Sequence, residues 1–212
     1  MRVFSIDIEE IRDILISVFA ISFSLVLADF GFNLASDKFL IYLLIYSLAI
    51  GSGFVVHELS HKFFAFYFGH YARYQPFLFG LFLMFFIALL IAIFNTPLPL
   101  FLAPGAVMIY SPRRISSYEN GIISAAGPAA NIFLAIFFFL VAAYFSIQEN
   151  YKSSFLVNLV LISMTIGIKI NFYLAFFNLL PIFPLDGAKI FSWNKIVWLF
   201  LIAISLIGFF IF

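Results

Sequence analysis

Long apolar runs separated by short polar segments make up most of this chain. The runs cover about Ile14–Ala28, Phe39–Phe68, Pro76–Phe94, Ser117–Phe145, Ser154–Leu180 and Lys195–Phe212. A helix needs about 20 apolar residues to cross a hydrocarbon core about 30 Å thick. The pattern therefore predicts an all-α polytopic membrane protein with about six transmembrane segments.

The segment 76–110 departs from this regular pattern. Asn95-Thr96-Pro97-Leu98-Pro99 is a strong helix stop, and the apolar residues 100–110 that follow contain Pro104 and Gly105. In an extended conformation these residues cover roughly 36 Å, at about 3.3 Å per residue. Non-helical backbone is tolerated at membrane depth only when it is buried in protein or lines a cavity. We therefore predict a short re-entrant, β-like element that leaves and returns beside the helix of residues 39–68.

Composition supports a membrane protein and excludes several other classes. The chain is 65% apolar and 10% charged, which is far more apolar than a soluble domain of this size. A net charge of +1 without a basic tract gives no reason to expect a nucleic-acid or nucleotide partner. The chain has no cysteine, so a metal site would have to use His, Asp or Glu.

The segment His57-Glu58-Leu59-Ser60-His61 carries the clearest chemical signal. With three His and five Glu in 212 residues, this pattern arises by chance about one time in a thousand. On a helix the two imidazoles lie one turn apart and can bind one metal ion, while Glu58 is placed to take a proton from water at that metal. The motif lies in the second half of an overlong apolar run, where an ionisable group suggests a functional site.

A catalytic zinc site usually has three protein ligands, so one ligand is missing from this motif. His70 lies in a polar loop, where a solvated surface residue is the more common interpretation. Asp186 follows Pro181-Ile182-Phe183-Pro184-Leu185 and precedes Gly187, and no other acid lies between Glu149 and Phe212. We favour Asp186 as the third ligand, with a helix-capping Asp as the alternative.

Three motifs in order resemble the signature set of the site-2 protease family, which are zinc metalloproteases that cut proteins within the membrane. They are His57–His61, Gly127-Pro128-Ala129-Ala130-Asn131, and the stretch from Asn178 to Gly187. The resemblance implies one Zn²⁺ ion held by His57, His61 and Asp186, with Glu58 as the catalytic base. It also implies that Asn131 lies near the zinc and helps to hold the substrate or its reacting carbonyl, and it makes Asn178 a further candidate.

The small residues of the second motif would let another backbone approach closely. A helical substrate must unwind locally before it can be cut, and the extended segment around Gly105 could pair with the unwound strand. Asn171 lies seven residues before Asn178, on the same helical face. For Asn171 we favour a role in hydrogen bonding between helices over a role in the site.

The distribution of basic residues predicts the orientation in the membrane. Segments 61–75, 111–118 and 187–195 carry Lys and Arg without any acid, whereas loops 29–38 and 147–153 show no basic excess. If residues 76–110 go out and return, all three basic segments lie on one side, which the positive-inside rule places in the cytoplasm. We expect a multi-pass protein of the cell membrane whose active site is near the cytoplasmic face.

The sequence is thus interpreted as one transmembrane protease domain, 1–212, with an N-terminal leader at 1–13, a catalytic core at 39–190 and no separate soluble domain. Its expected partners are the lipid bilayer and transmembrane or membrane-anchored protein substrates, cut in regulated intramembrane proteolysis. The alternatives are a divalent-metal transporter and a non-proteolytic binding protein. Both leave the position of Glu58 beside a ligand unexplained, and a transporter often shows an internal repeat, which this chain lacks.

Overall fold

The protein is represented by a computed structural model that describes residues 5–32, 37–96, 100, 104–147 and 155–212. These residues form seven helices and two strands. They are α1 (Ile8–Phe30), α2 (Asp37–Tyr67), β1 (Tyr71–Pro76), α3 (Leu78–Phe94), β2 (Gly105–Tyr110), α4 (Ser117–Ile147), α5 (Phe155–Asn178), α6 (Asp186–Trp193) and α7 (Lys195–Ile211). The predicted helix stop at 97–99 and part of the predicted extended stretch, 101–103, lie outside the described residues.

Four of the helices are long and apolar enough to cross a membrane. They are α1, α2 from Phe39 onward, α4 and α5, while α3 and α7 are shorter apolar helices of 17 residues each. The prediction of a largely helical membrane protein is confirmed in this coarser form.

Helix α2 lies at the centre of the bundle and packs against α1, α4 and α5. The main apolar core fills the space between α1, α2, α3 and α5, with Ile21, Ile50 and Met84 completely buried. A smaller core joins α4 and α5 through Ile132, Ala135, Ile168, Phe172 and Ala175, and Leu201 and Ile204 of α7 pack against it. The middle of α2, which carries His57, is therefore enclosed by helices on several sides.

Strands β1 and β2 form a two-stranded antiparallel sheet beside α2. Tyr71 pairs with Tyr110 at one end and Pro76 with Gly105 at the other, so the chain returns after α3 to the place from which it left. A strand within 100–110 was predicted, but β1 was missed because residues 69–75 were interpreted as a polar loop. The alternation was present in the sequence, since Ala72 and Tyr74 point inward between exposed Tyr71 and Gln75.

Tyr74 fastens this sheet to the bundle. Its hydroxyl donates to the carbonyl of Pro104 at 3.2 Å and shares a hydrogen bond of 2.8 Å with the hydroxyl of Ser17 on α1. Gly105 lies against Tyr74, because a Cβ at residue 105 would stand 2.3 Å from the Tyr74 hydroxyl.

The first helix begins at Ile8, six residues earlier than the predicted span, so the predicted leader 1–13 extends into α1. Acidic side chains in the first turn are favourable at the positive end of the helix dipole. Glu10 in that turn is completely buried, forms an ion pair with Lys62 of α2 and accepts a hydrogen bond of 2.9 Å from the amide of Tyr74. Glu10 thus helps to fix α1 to α2 and β1.

Several of the basic residues used to predict the orientation are paired with acids in the fold. Arg73 contacts Glu9 at 2.7 Å, Lys62 contacts Glu10, and Arg113 makes two hydrogen bonds to Glu119. The Glu119 hydrogen bonds raise the pKa of the Arg113 guanidinium above its ordinary value. These three basic side chains thus have acidic partners that lie outside their own loop segments. The positive-inside rule counts Lys and Arg positions rather than net charge, so it still applies.

Candidate metal centre

His57 and His61 present their Nε2 atoms to a common point on one face of α2. The two Nε2 atoms lie 3.0 Å apart, and Oδ2 of Asp186 lies 3.0 Å from the Nε2 of His61 and 3.5 Å from that of His57. Ligands about 2.0–2.1 Å from a tetrahedral zinc are separated from one another by roughly 3.3 Å. The three atoms therefore have the spacing that one zinc ion requires.

Hydrogen bonds on the far side of each ring determine which nitrogen faces this point. His61 donates from Nδ1 to the carbonyl of Ile123, and His57 donates from Nδ1 to Oδ1 of Asn131, both at 2.6 Å. In the neutral rings both Nε2 atoms then carry lone pairs that face each other at 3.0 Å. A cation between them removes this repulsion, and metal-binding histidines almost always have such an outer partner.

Helix α4 approaches the two rings at Gly127. A Cβ at that residue would stand 2.4 Å from Nε2 of His61 and 2.6 Å from Nε2 of His57. A methyl group would thus come nearly as close to the nitrogens as a zinc ion does, so only glycine leaves this volume open. The small-residue motif therefore admits the two histidine side chains of α2 at Gly127, rather than the other backbone that was expected there.

Asp186 reaches the site from the first turn of α6. The N-cap residue is Leu185 and it makes no side-chain capping bond, while Asp186 points Oδ2 to the histidines and accepts from Lys189 with Oδ1 at 3.2 Å. The alternative of a capping Asp is therefore not supported. Gly187 permits the tight approach of α6 to the preceding turn, because a Cβ there would stand 2.1 Å from the carbonyl oxygen of Leu179.

His70, the other candidate ligand, lies elsewhere. It is buried rather than solvated, and its Nδ1 shares a hydrogen bond of 2.9 Å with the hydroxyl of Ser111. Its Nε2 stands 3.9 Å from Glu119. His70 thus connects the end of α2 to the segment before α4, and the expectation of a solvated surface histidine is wrong.

Glu58 is buried next to His57 and borders a cavity. Its Oε2 atom has no hydrogen-bond partner among the described residues, although the side chain is only 6% exposed. A buried carboxylate oxygen without a partner is costly unless something binds to it. The cavity, of about 480 Å³, is lined by Glu58 together with the three candidate ligands, so water or a reacting group can reach this oxygen.

The remaining wall of the cavity is formed by β2 and the end of α5. Residues 105–109 of β2 line one side, and Phe54, Leu174, Asn178, Pro184 and Lys189 line the others. Gly105 and Asn178 therefore both line the cavity. Within the described residues, β2 has a strand partner on one edge only, which is β1.

Most of the chain, including the residues of this site, matches a known protein family. Residues 45–196 match the family model described as Peptidase family M50. The chain belongs to peptidase family M50. This family includes the site-2 proteases, so the resemblance drawn from the three motifs is confirmed. The matched segment contains His57, Glu58, His61, Asn131 and Asp186.

A relative supports the same assignment. The chain is 35% identical over 209 residues to a Methanocaldococcus jannaschii protein named as a candidate zinc metalloprotease, covering 99% of this chain and 96% of the relative. No solved structure matches the chain significantly. Family membership together with the His–His–Asp cluster confirms the expected zinc cofactor, and the M50 protein is a membrane metalloprotease by family.

Asn131 lies near the candidate metal ligands, as the resemblance implies, but it is not in a position to contact a substrate in the cavity. It is completely buried behind His57 and does not line the cavity. Both hydrogens of its amide are used, since Nδ2 donates to the carbonyl of Gly53 at 3.0 Å and to Oδ1 of Asn171 at 2.9 Å. The side chain therefore has no hydrogen left for a substrate carbonyl, and it contacts a ligand instead.

Two contributors to the site were not identified from the sequence. Lys189 holds one oxygen of Asp186, and the carbonyl of Ile123 accepts from His61. The position of Lys189 three residues after Asp186, one turn away on a helix, was a usable signal. A backbone carbonyl has no residue-type signal, so the role of Ile123 was not predictable.

Proposed function

We propose that the M50 protein is an intramembrane zinc endopeptidase that hydrolyses transmembrane or membrane-anchored proteins near the cytoplasmic side. The observation that carries the proposal is the single point at which His57, His61 and Asp186 converge beside the unpartnered oxygen of Glu58. Among the described residues, this is the one group of three His, Asp or Glu side chains placed to hold a metal. A transporter would need further sites along a path, so the protease interpretation is favoured.

The residues divide the chemistry between them. Zinc held by His57, His61 and Asp186 would supply Lewis acidity and lower the pKa of a water molecule at the site. Glu58 takes the proton of the attacking water at Oε2 and returns it to the leaving amine as the peptide bond breaks. We infer that the amide of Asn178, which lines the cavity, contacts the oxygen of the reacting carbonyl with the hydrogen that it does not donate to the carbonyl of Leu174.

Strand β2 is proposed to hold the unwound substrate. A scissile peptide bond in a helix is protected by its hydrogen bonds, so the substrate must become extended to be cut. Residues 105–109 line the cavity beside the metal ligands, and the edge of β2 away from β1 has no described strand partner. Addition of the substrate as a further strand would supply main-chain hydrogen bonds with little dependence on sequence.

We further propose that α3 with the two strands is a re-entrant excursion and that α7 completes about six membrane segments. The pairing of Pro76 with Gly105 supports the excursion, because both ends of segment 76–105 meet at one place. The single domain 1–212, with a catalytic core at 39–190, is supported by the contacts that α1 and α7 make with the other helices.

The cytoplasmic orientation rests on the Lys and Arg positions. His57 lies ten residues before the end of α2, or about 15 Å from it along the helix axis. The absence of cysteine makes single-cysteine labelling clean: a membrane-impermeant maleimide should spare Arg114→Cys and label Lys152→Cys in intact cells. The reverse pattern would refute the orientation.

Metal removal tests the proposed activity. Purified protein in lipid vesicles should cleave a model transmembrane substrate, lose the activity after dialysis against a chelator, and regain it with stoichiometric Zn²⁺. Cleavage that survives complete removal of metal would refute the proposal.

A further inference from the structure

A chain of hydrogen bonds leads from His57 away from the cavity and into α5. Oδ1 of Asn131 accepts from Nδ1 of His57, and Nδ2 of Asn131 donates to Oδ1 of Asn171 at 2.9 Å. Nδ2 of Asn171 then donates to the carbonyl of Gly167, one turn back in its own helix, at 2.9 Å. Both asparagines are completely buried, so water does not replace any of these bonds.

The orientation of both amides in this series of hydrogen bonds is determined at the end that is farthest from His57. The Gly167 carbonyl can only accept, so it orients the amide of Asn171 with Oδ1 toward Asn131. Two acceptors, Oδ1 of Asn171 and the carbonyl of Gly53, then face Nδ2 of Asn131. The Asn131 amide must therefore turn Oδ1 to His57, and this requires the proton of that ring to lie on Nδ1.

The packing around Asn171 shows that its position is closely determined. A Cβ at Gly53 would stand 2.7 Å from Oδ1 of Asn171, so α2 and α5 meet directly at this pair. Gly53 is one turn before His57 on α2. The contact between Gly53 and Asn171, which joins α2 to α5, therefore lies one helical turn from the His57 ring.

Resting on the proposed function, we propose that Asn171 is a positioning residue for the metal ligand His57, acting through Asn131. Without the oxygen of Asn171, one hydrogen of the Asn131 amide has no acceptor, and only the carbonyl of Gly53 still favours the present orientation of that amide over the reversed one. A reversed amide presents a donor to Nδ1, which favours the imidazole tautomer with its proton on Nε2, where the metal must bind. A residue that only joins helices would change stability and leave metal affinity unaltered.

The test compares Asn171→Leu with Asn171→Asp and with a matched control. Leu removes both bonds of Asn171, whereas Asp is isosteric with Asn and keeps an oxygen acceptor for Asn131. Ile168→Ala is the control, because Ile168 is buried in α5 among Phe172 and Ala175 and does not belong to the chain of amides. For each variant the readouts are Zn²⁺ affinity by chelator competition, the absorption spectrum of the Co²⁺ form, and thermal stability.

Loss of an outer partner of a metal-binding histidine costs about 10–100-fold in metal affinity. We expect Asn171→Leu to bind Zn²⁺ at least roughly tenfold more weakly, with an altered Co²⁺ spectrum, and Asn171→Asp to recover most of the affinity. Ile168→Ala should lose stability and keep wild-type affinity. If Asn171→Leu does not fold, Asn171→Ser replaces it, since its shorter side chain also loses the contact with Asn131.

Wild-type Zn²⁺ affinity in Asn171→Leu, with a loss of stability like that of Ile168→Ala, would overturn the inference and leave Asn171 as a helix-joining residue. The two proposals fail separately. A wild-type protein that binds no Zn²⁺ or cleaves without it refutes the proposed function, whereas unaltered Zn²⁺ affinity in Asn171→Leu refutes only the positioning role.

Discussion

Replacing Gly127 with alanine should prevent the two histidines from sharing a metal ion. The added Cβ would stand 2.4 Å from Nε2 of His61 and 2.6 Å from Nε2 of His57. Non-bonded carbon contacts become favourable only at about 3.5 Å, so each ring must retreat by roughly 1 Å. Metal sites tolerate ligand displacements of only about 0.2 Å. We therefore expect Zn²⁺ affinity and cleavage each to fall at least about 100-fold, as a 1 Å misplacement in an active site can cause.

Two glycine variants separate this effect from general disturbance of the helices. Gly51→Ala lies in the same helix as the histidines, and its Cβ would meet Val18 at an ordinary 3.5 Å. Gly208→Ala would press on the ring of Phe172 at 2.4 Å, away from the metal and from the hydrogen bonds that reach His57. Chelator competition should show wild-type metal affinity for both variants, and thermal denaturation should show reduced stability for Gly208→Ala. If Gly127→Ala binds Zn²⁺ and cleaves within about threefold of wild type, the assigned metal position is wrong.

Two other variants test the parts around the metal. Ala106→Pro removes a main-chain hydrogen-bond donor from β2, so the cleavage rate should fall about tenfold while the Zn²⁺ content stays constant. Ala106→Ser, which keeps this donor, is the control. Full activity of the proline variant would refute substrate pairing with this strand. Lys62→Met leaves Glu10 as a buried charge without its ion-pair partner. Chemical denaturation should show that this variant loses about 3–5 kcal/mol of the free energy of unfolding. The double variant Glu10→Leu/Lys62→Met should lose less, because it removes both charges. An equal loss in the single and double variants would show that the pair is not energetically coupled.

Residues of the metal site were predictable from the sequence where they form a short local pattern or where an ionisable residue is rare in its segment. His57 and His61 lie one helical turn apart, which a short pattern records, and α2 was predicted at 39–68 against an observed 37–67. Asp186 was found because an isolated acid after a long apolar helix is unusual. In each case the cost of placing an ionisable group in an apolar segment makes the residue conspicuous in the sequence.

The errors concern contacts between distant parts of the chain. Asn131 bonds to His57 across 74 residues, and Glu10 lies 52 residues before its partner Lys62. Helical periodicity identifies the face on which a residue lies but not the partner that it meets there. Strand β1 was missed for a related reason, because its six residues become a strand only when β2 returns beside them.

The central claim is that Glu58 transfers a proton in the reaction and is not needed for binding of the metal. Glu58→Gln keeps the size of the side chain and removes the base, while His57, His61 and Asp186 remain. The decisive measurement is the cleavage rate of this variant together with its bound Zn²⁺. We predict one Zn²⁺ per chain and a rate lower by about 10²–10⁴-fold, the usual contribution of a general base. A zinc-loaded Glu58→Gln protein that cleaves at the wild-type rate would contradict the account.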